Sequence, residues 1–111
     1  MKIYGIKQCD TCRKAQAFLN DQAVTFEFID LRQDPVAPAT LKAWFAELGS
    51  DTLINRRSTT WRQLKDTDRE AVMNGDVALL ATHPTLIKRP LVDWGESLTV
   101  GFKPSNWQEQ L

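Results

Sequence analysis

No stretch of this 111-residue sequence approaches the roughly 20 consecutive apolar residues that a membrane-spanning helix needs, so no such helix is expected. Two cysteines are too few for a disulfide scaffold. A single histidine leaves a cysteine-based zinc site short of its usual ligands. Charge of one sign is not in excess either: fourteen Lys and Arg balance fourteen Asp and Glu. That balance removes the footprint of a bulk nucleic-acid binder. Five glycines and five prolines are too few for collagen-like or low-complexity sequence. What remains is ordinary globular composition, 42% hydrophobic and 25% charged, at the length of one domain with its own core. The opening Met1–Ile6 reads directly as a strand, so no secretory signal is expected and the expected compartment is the cytoplasm.

The pattern along the chain predicts α/β. Residues 2–6 are β-prone, and a polar turn, Lys7-Gln8-Cys9-Asp10, follows. Residues 12–22 predict a helix with Ala15, Phe18, Leu19 and Ala23 on one face. Residues 24–29 alternate with period two and predict a strand. This β–α–β start implies parallel pairing with a right-handed crossover. Pro35 and Pro38 then open a strandless region. Leu41, Trp44, Phe45 and Leu48 fall on one helical face that Gly49 ends. A helical turn is expected at 59–64, then a helix with Thr67 and Glu70 as a capping box, then Val77–Thr82 capped by Asp76. Residues 85–88, 91–94 and 97–102 read as strands, with Gly95-Glu96 turning the last two into an antiparallel hairpin. Pro104 opens a final short helix. The expectation is a mixed sheet of about four strands, with residues 1–32 and 84–111 as the core and 33–83 as a helical insertion.

Cys9-Asp10-Thr11-Cys12 is a C-x-x-C lying between the first strand and the first helix. Positions i and i+3 at a helix start share a face, near enough for a disulfide. The first cysteine meets the unpaired N–H groups and positive dipole of the helix, which favours thiolate. Thiolate is the attacking species in thiol–disulfide exchange. Lys7, Arg13 and Lys14 add positive charge and Asp10 opposes it. The same spacing also fits half of a zinc site, which would need two more ligands from carboxylates and His83, or two inert buried thiols. Strand-to-helix placement favours redox chemistry, and no metal is expected. Trp44, Trp61, Trp94 and Trp107 read as core and cap residues. His83 reads as a helix C-cap, and Arg56, Arg57 and Arg62 as a basic run beside Trp61.

Several blocks carry a resemblance: Tyr4–Ala15, Arg57–Trp61, His83–Val92 and Val100–Ser105. In this order they resemble the ArsC/Spx/YffB family, most closely its YffB-like group. The resemblance implies a thioredoxin-like fold with a helical insertion. It implies Cys9 as nucleophile, and Arg89 as the arginine that presents a fork of donors to an oxyanion or carboxylate. A second basic residue of the family's site maps to Arg57 or Arg56, and Lys103 stands where the family has a third arginine, keeping the charge without the bidentate fork; Arg13, beside Cys12, is a further candidate cation for substrate. Pro90 matches the cis-proline that faces the active cysteine in such folds. Where arsenate reductases of this family carry a histidine, this chain has Gly5, which argues against arsenate as the substrate. Where most YffB-like proteins carry a bulky apolar residue, it has Cys12, as Spx proteins do.

The function so implied is that of a monomeric thiol–disulfide oxidoreductase with glutathione or glutaredoxin as thiol partner and no bound cofactor. Cys9 attacks and Cys12 or glutathione resolves; the substrate is a small-molecule or protein thiol or disulfide. Two other readings are a true arsenate reductase and an Spx-like regulator that binds RNA polymerase and senses redox state through Cys9 and Cys12. Against the second, the chain stops after its last helix, without the basic extension typical of Spx. The seven cations Lys7, Arg13, Lys14, Arg57, Lys88, Arg89 and Lys103 are expected to gather around the first helix's N-terminus.

Overall fold

The computed structural model describes residues 1–111. They form two compact units, Met1–Asp34 with Arg89–Leu111, and Pro35–Lys88.

The first unit contains the only sheet. Strands β1 (Lys2–Gly5), β2 (Glu27–Asp30), β3 (Leu91–Asp93) and β4 (Leu98–Val100) lie in the order β2-β1-β3-β4. β1 and β2 run parallel across helix α1 (Asp10–Asp21); β1–β3 and β3–β4 are antiparallel. Helix α7 (Pro104–Gln110) closes the unit, with Pro104 in its first turn where a missing N–H costs nothing. This is the thioredoxin-like arrangement expected from the sequence.

Register sets which side chains meet α1. Ile3 pairs with Phe28 on one side and Val92 on the other, and Gly5 pairs with Asp30. Alternation therefore puts Ile3, Gly5, Phe28, Asp30 and Val92 on one face of the sheet. Ile3 and Val92 share a buried core with Ala15 and Leu19 of α1 and Trp107 of α7. Trp107 meets three rings edge-to-face: Phe102 at 4.8 Å, Trp94 at 5.3 Å and Phe18 at 6.3 Å. The Trp94 indole N–H is satisfied by Thr99 Oγ1 at 2.9 Å.

Ala23 departs from its expected place on the buried face of α1. It is exposed, with φ at +56°, and follows the helix. Its N–H donates to Asn20 O, and that of Val24 donates to Leu19 O. These two bonds form a Schellman ending, with Val24 turned back onto the core beside Leu19.

The second unit is helical: α2 (Pro38–Leu48), α3 (Ser50–Leu53), α4 (Thr59–Gln63), α5 (Asp66–Met73) and α6 (Val77–Thr82). Leu41 and Trp44 of α2, Leu53, Ile54, Val72 and Leu80 are buried. Ser58 caps α4 by accepting from the Trp61 N–H, and Asp76 caps α6 by accepting from the Ala78 N–H. His83 holds the C-cap position of α6, as expected. Two expectations are corrected. The Thr67–Glu70 capping box does not form, because α5 starts at Asp66 with Lys65 as its N-cap and Thr67 already inside the first turn. Residues 85–88 are not a strand: Pro84–Leu86 make a 3₁₀ turn, and Ile87 forms a lone antiparallel bridge to Ile54. The Asn55 N–H donates to Leu86 O and the Lys88 N–H to Leu53 O. Those bonds fasten residues 84–88 to the helical unit, so it runs to Lys88 rather than stopping at His83.

Candidate functional site

Cys9 is the N-cap of α1, with extended backbone at φ −85° and ψ 120°. Its own N–H donates to Ile6 O at 3.0 Å, closing the turn after β1, and its C=O accepts from the Arg13 N–H. The turn is held from outside by Asp30, the only buried charged residue, at 7% exposure. Asp30 accepts from the N–H groups of Lys7 (3.1 Å), Arg32 (2.8 Å) and Gln33 (3.4 Å). Leu31 donates to Gly5 O beside it. One carboxylate at the end of β2 thus fixes the loop that delivers Cys9. Burial disfavours its charge, but the N–H groups of Arg32, Lys7 and Gln33 and the Lys7 ammonium outweigh burial and lower its pKa.

Both thiols are free. Cys9 is half-buried and Cys12 is fully buried, at 0% exposure. Burial alone would raise the Cys9 pKa, and it is the largest single influence. The backbone N–H of Cys12, the Cys12 thiol and the hydrogen bond and charge of Arg89 together overcome it, so the Cys9 pKa is lowered. Cys12 goes the other way. Burial, then the Cys9 sulfur, push it up to about 11, against the Ile6 backbone and the Arg89 charge. The first proton lost is therefore that of Cys9, and Cys12 stays a thiol that donates to the Cys9 sulfur. Two residues of one type are shifted in opposite directions by their positions on one helix turn.

Arg89 begins the return of the chain to the first unit, and the Arg89–Pro90 peptide bond is cis. The Pro90 carbonyl accepts from Gly101 N–H at 2.9 Å, tying this segment to the residue after β4. Cys9, Cys12 and Arg89 are thus brought together.

Arg13 and Lys103 belong to the same unit as Cys9, and Arg57 and Lys88 to the helical one. The Arg13 side chain is exposed, donates to Lys7 O at 3.1 Å and lies 3.5 Å from Asp10. Lys103 is the N-cap of α7 and lines a cavity of about 150 Å³ with Thr99, Val100, Asn106 and Trp107, to which neither cysteine nor Arg89 contributes. Lys88 donates its ammonium to Asp51 O within the helical unit. Arg57 belongs to that unit too, its N–H bonded to Asn55 Oδ1. Within the first unit, Arg89 is the cation that acts on the Cys9 sulfur, Arg13 turns to Lys7 O and Asp10, and Lys103 lines the cavity beside α7. No group of three or more His, Cys, Asp or Glu side chains is placed to hold a metal ion.

Asp30 escapes a reading of the sequence, and Gly5 enters it only as the place of a family histidine. Asp30 carries a local signal, an Asp followed by residues whose N–H groups it can cap as an Asx turn. Gly5 carries another, a glycine inside a strand, which points to close approach of a neighbour. That neighbour is Cys12.

Comparison with known proteins places the fold and the family. The solved structure of a YffB protein is 35% identical, superposes with a TM-score of 0.89, and is covered over 97% of its length by 99% of this chain. An arsenate reductase (ArsC) related protein from Brucella melitensis is 33% identical with a TM-score of 0.72, over 97% of this chain and 91% of that one. The global transcriptional regulator Spx of Streptococcus pyogenes is 29% identical over 96 residues, 85% of this chain and 72% of that protein. The model of the ArsC family matches residues 4–110, and the chain belongs to that family.

Proposed function

We propose that this protein is a thiol–disulfide oxidoreductase that works through a Cys9 thiolate and uses glutathione or glutaredoxin as its thiol partner. What carries the reading is the place of Cys9 at a helix N-cap, beside Cys12 and Arg89, whose hydrogen bonds and charge lower its pKa. In the first step the Cys9 thiolate attacks one sulfur of a disulfide, forms a mixed disulfide and expels the other sulfur as a thiolate. In the second, Cys12 gives up its proton and attacks the Cys9 sulfur, closing the Cys9–Cys12 disulfide and releasing the bound thiol. Two equivalents of glutathione, or a dithiol partner, then return both cysteines to thiols and leave as disulfide. The fork of Arg89 holds an anionic group of the substrate, such as the carboxylate of a glutathionyl moiety. Arg57, Lys103 and Arg13 are further candidate cations, each testable by substitution.

The test is glutathione-coupled reduction of a small mixed disulfide by wild type, Cys9→Ser and Cys12→Ser. Loss of turnover in Cys9→Ser, with partial turnover in Cys12→Ser at high glutathione, is the expected result. Equal turnover in all three would overturn the reading.

The likeness to Spx supports a second reading, a redox-sensing regulator that binds RNA polymerase. Capture by the carboxy-terminal domain of the polymerase α chain, strong in one redox state and lost in the other, would favour it.

A further inference from the structure

We propose that Gly5 is a positioning residue for the resolving thiol: its missing side chain is the socket that seats the Cys12 sulfur against β1. The inference rests on the reading of Cys12 as the resolving cysteine and deepens it.

Gly5 is buried and sits in regular β1, paired with Asp30. It is not among the glycines with positive φ, so its backbone does not demand glycine. The demand is steric. A Cβ on Gly5 would lie 2.6 Å from Cys12 Sγ, 3.4 Å from Cys12 Cβ and 3.2 Å from the Phe28 ring. Carbon and sulfur in ordinary contact stand well beyond the first of these separations, so the sulfur occupies the space a side chain would fill. Relief by moving the strand is blocked on both edges. β1 is hydrogen-bonded to β2 on one side and β3 on the other, and Gly5 O accepts from Leu31 N–H at 2.8 Å. Relief by moving the ring is limited because Phe28 packs against the core of Ile3, Ala15 and Leu19. The group with freedom to move is the Cys12 side chain, by rotation about its Cα–Cβ bond.

That rotation is what the resolving step cannot tolerate. Cys12 is closed to solvent, so its sulfur reaches a mixed disulfide only if it already faces Cys9. Intramolecular attack depends on the sulfur being held near its partner, and displacement by about 1 Å can cost about 100-fold in rate.

An aromatic disulfide such as 5,5′-dithiobis(2-nitrobenzoate) separates the two steps. The Cys9 thiolate attacks it, forms Cys9–S–S–aryl and releases one aryl thiolate. Cys12 then loses its proton, attacks the Cys9 sulfur, closes the disulfide and releases a second aryl thiolate. Two protein thiols are oxidised and one reagent disulfide is reduced. Wild type is expected to release two equivalents and Cys12→Ala one. Gly5→Ala is expected to release the first and to lower the ratio of second-step to first-step rate by about 10- to 100-fold. An unchanged ratio in folded Gly5→Ala overturns the proposal. So does a wild type that stops at one equivalent, which fells the resolving role as well; release of none fells the Cys9 nucleophile and with it both.

If Gly5→Ala does not fold, the double variant Gly5→Ala/Cys12→Ala decides. With the sulfur gone, the added methyl has room, so the double variant should fold and its denaturation midpoint should approach that of Cys12→Ala. A double variant that is also unfolded, or whose midpoint stays far below that of Cys12→Ala, overturns the socket.

Discussion

At the residue scale, the chemistry comes from an asymmetry between two cysteines three positions apart. Cys9 holds the N-cap position of the helix and is half-buried, whereas Cys12 lies inside the first turn and is buried under β1. Alkylation of Cys9 should therefore show a half-maximal pH below the ordinary thiol value near 8.5. Arg89→Met removes both a hydrogen bond and a positive charge from the thiolate. Its alkylation profile should move to higher pH, with the rate at pH 7 falling by up to about tenfold for each whole pH step that the midpoint rises. Stopped-flow iodoacetamide labelling across pH measures both. A profile in Arg89→Met that overlays wild type would remove Arg89 from the site. Asp30 gives a second pH dependence. Its pKa is lower folded than unfolded, so the stability it contributes is complete above about pH 4 and is lost as pH falls through the lowered folded value. Asp30→Asn should give a flatter acid limb in urea melts as the pH falls below about 4, and a looser Cys9 loop at neutral pH.

At the scale of elements, α1 serves the site with its N-terminus and the core with one face, and its C-terminus carries a cost. Ala23 holds a left-handed backbone that suits glycine, and a side chain there costs roughly 1 kcal/mol. Ala23→Gly keeps the two Schellman bonds and should raise stability by about 0.5–1 kcal/mol; a thermal melt that moves down instead would show that the turn does not need the left-handed state. Helix α7 depends on one residue. Trp107 is 2% exposed and touches Trp94, Phe18 and Phe102 edge-to-face. Trp107→Ala should cost about 3–5 kcal/mol, read by chemical denaturation, and should detach the short C-terminal helix.

At the scale of the whole molecule, the chain interrupts one compact unit with another. Parallel pairing of β1 and β2 across α1, then return of the chain at Arg89, sets Cys9, Cys12 and Arg89 in one unit although the whole helical unit lies between them in sequence. The local order of elements is largely readable from the residues. Alternation marks β2, Pro38 and Gly49 bound α2, and Gly95 marks the hairpin. Residues 85–88 read as a strand because Thr-Leu-Ile is β-prone by composition. The hydrogen bonds to Leu53 and Asn55, which no local pattern announces, decide their shape. Partners of the basic residues are hidden from the sequence for the same reason. A charge count shows which residues are basic, but not that Lys88 spends its ammonium on Asp51 O.

Local chemistry determined the C-x-x-C at a helix start, the β–α–β opening, the turn residues and the balance of charge, because each depends on neighbours within a few positions. Tertiary structure decided which sulfur ionises first and which stays buried. It decided that Arg89 acts on the Cys9 sulfur, and that Asp30 fixes the loop. It also gave Gly5 its meaning. These outcomes depend on burial and on contacts between residues distant in sequence, and a linear pattern holds no record of the separation between Gly5 and the sulfur of Cys12.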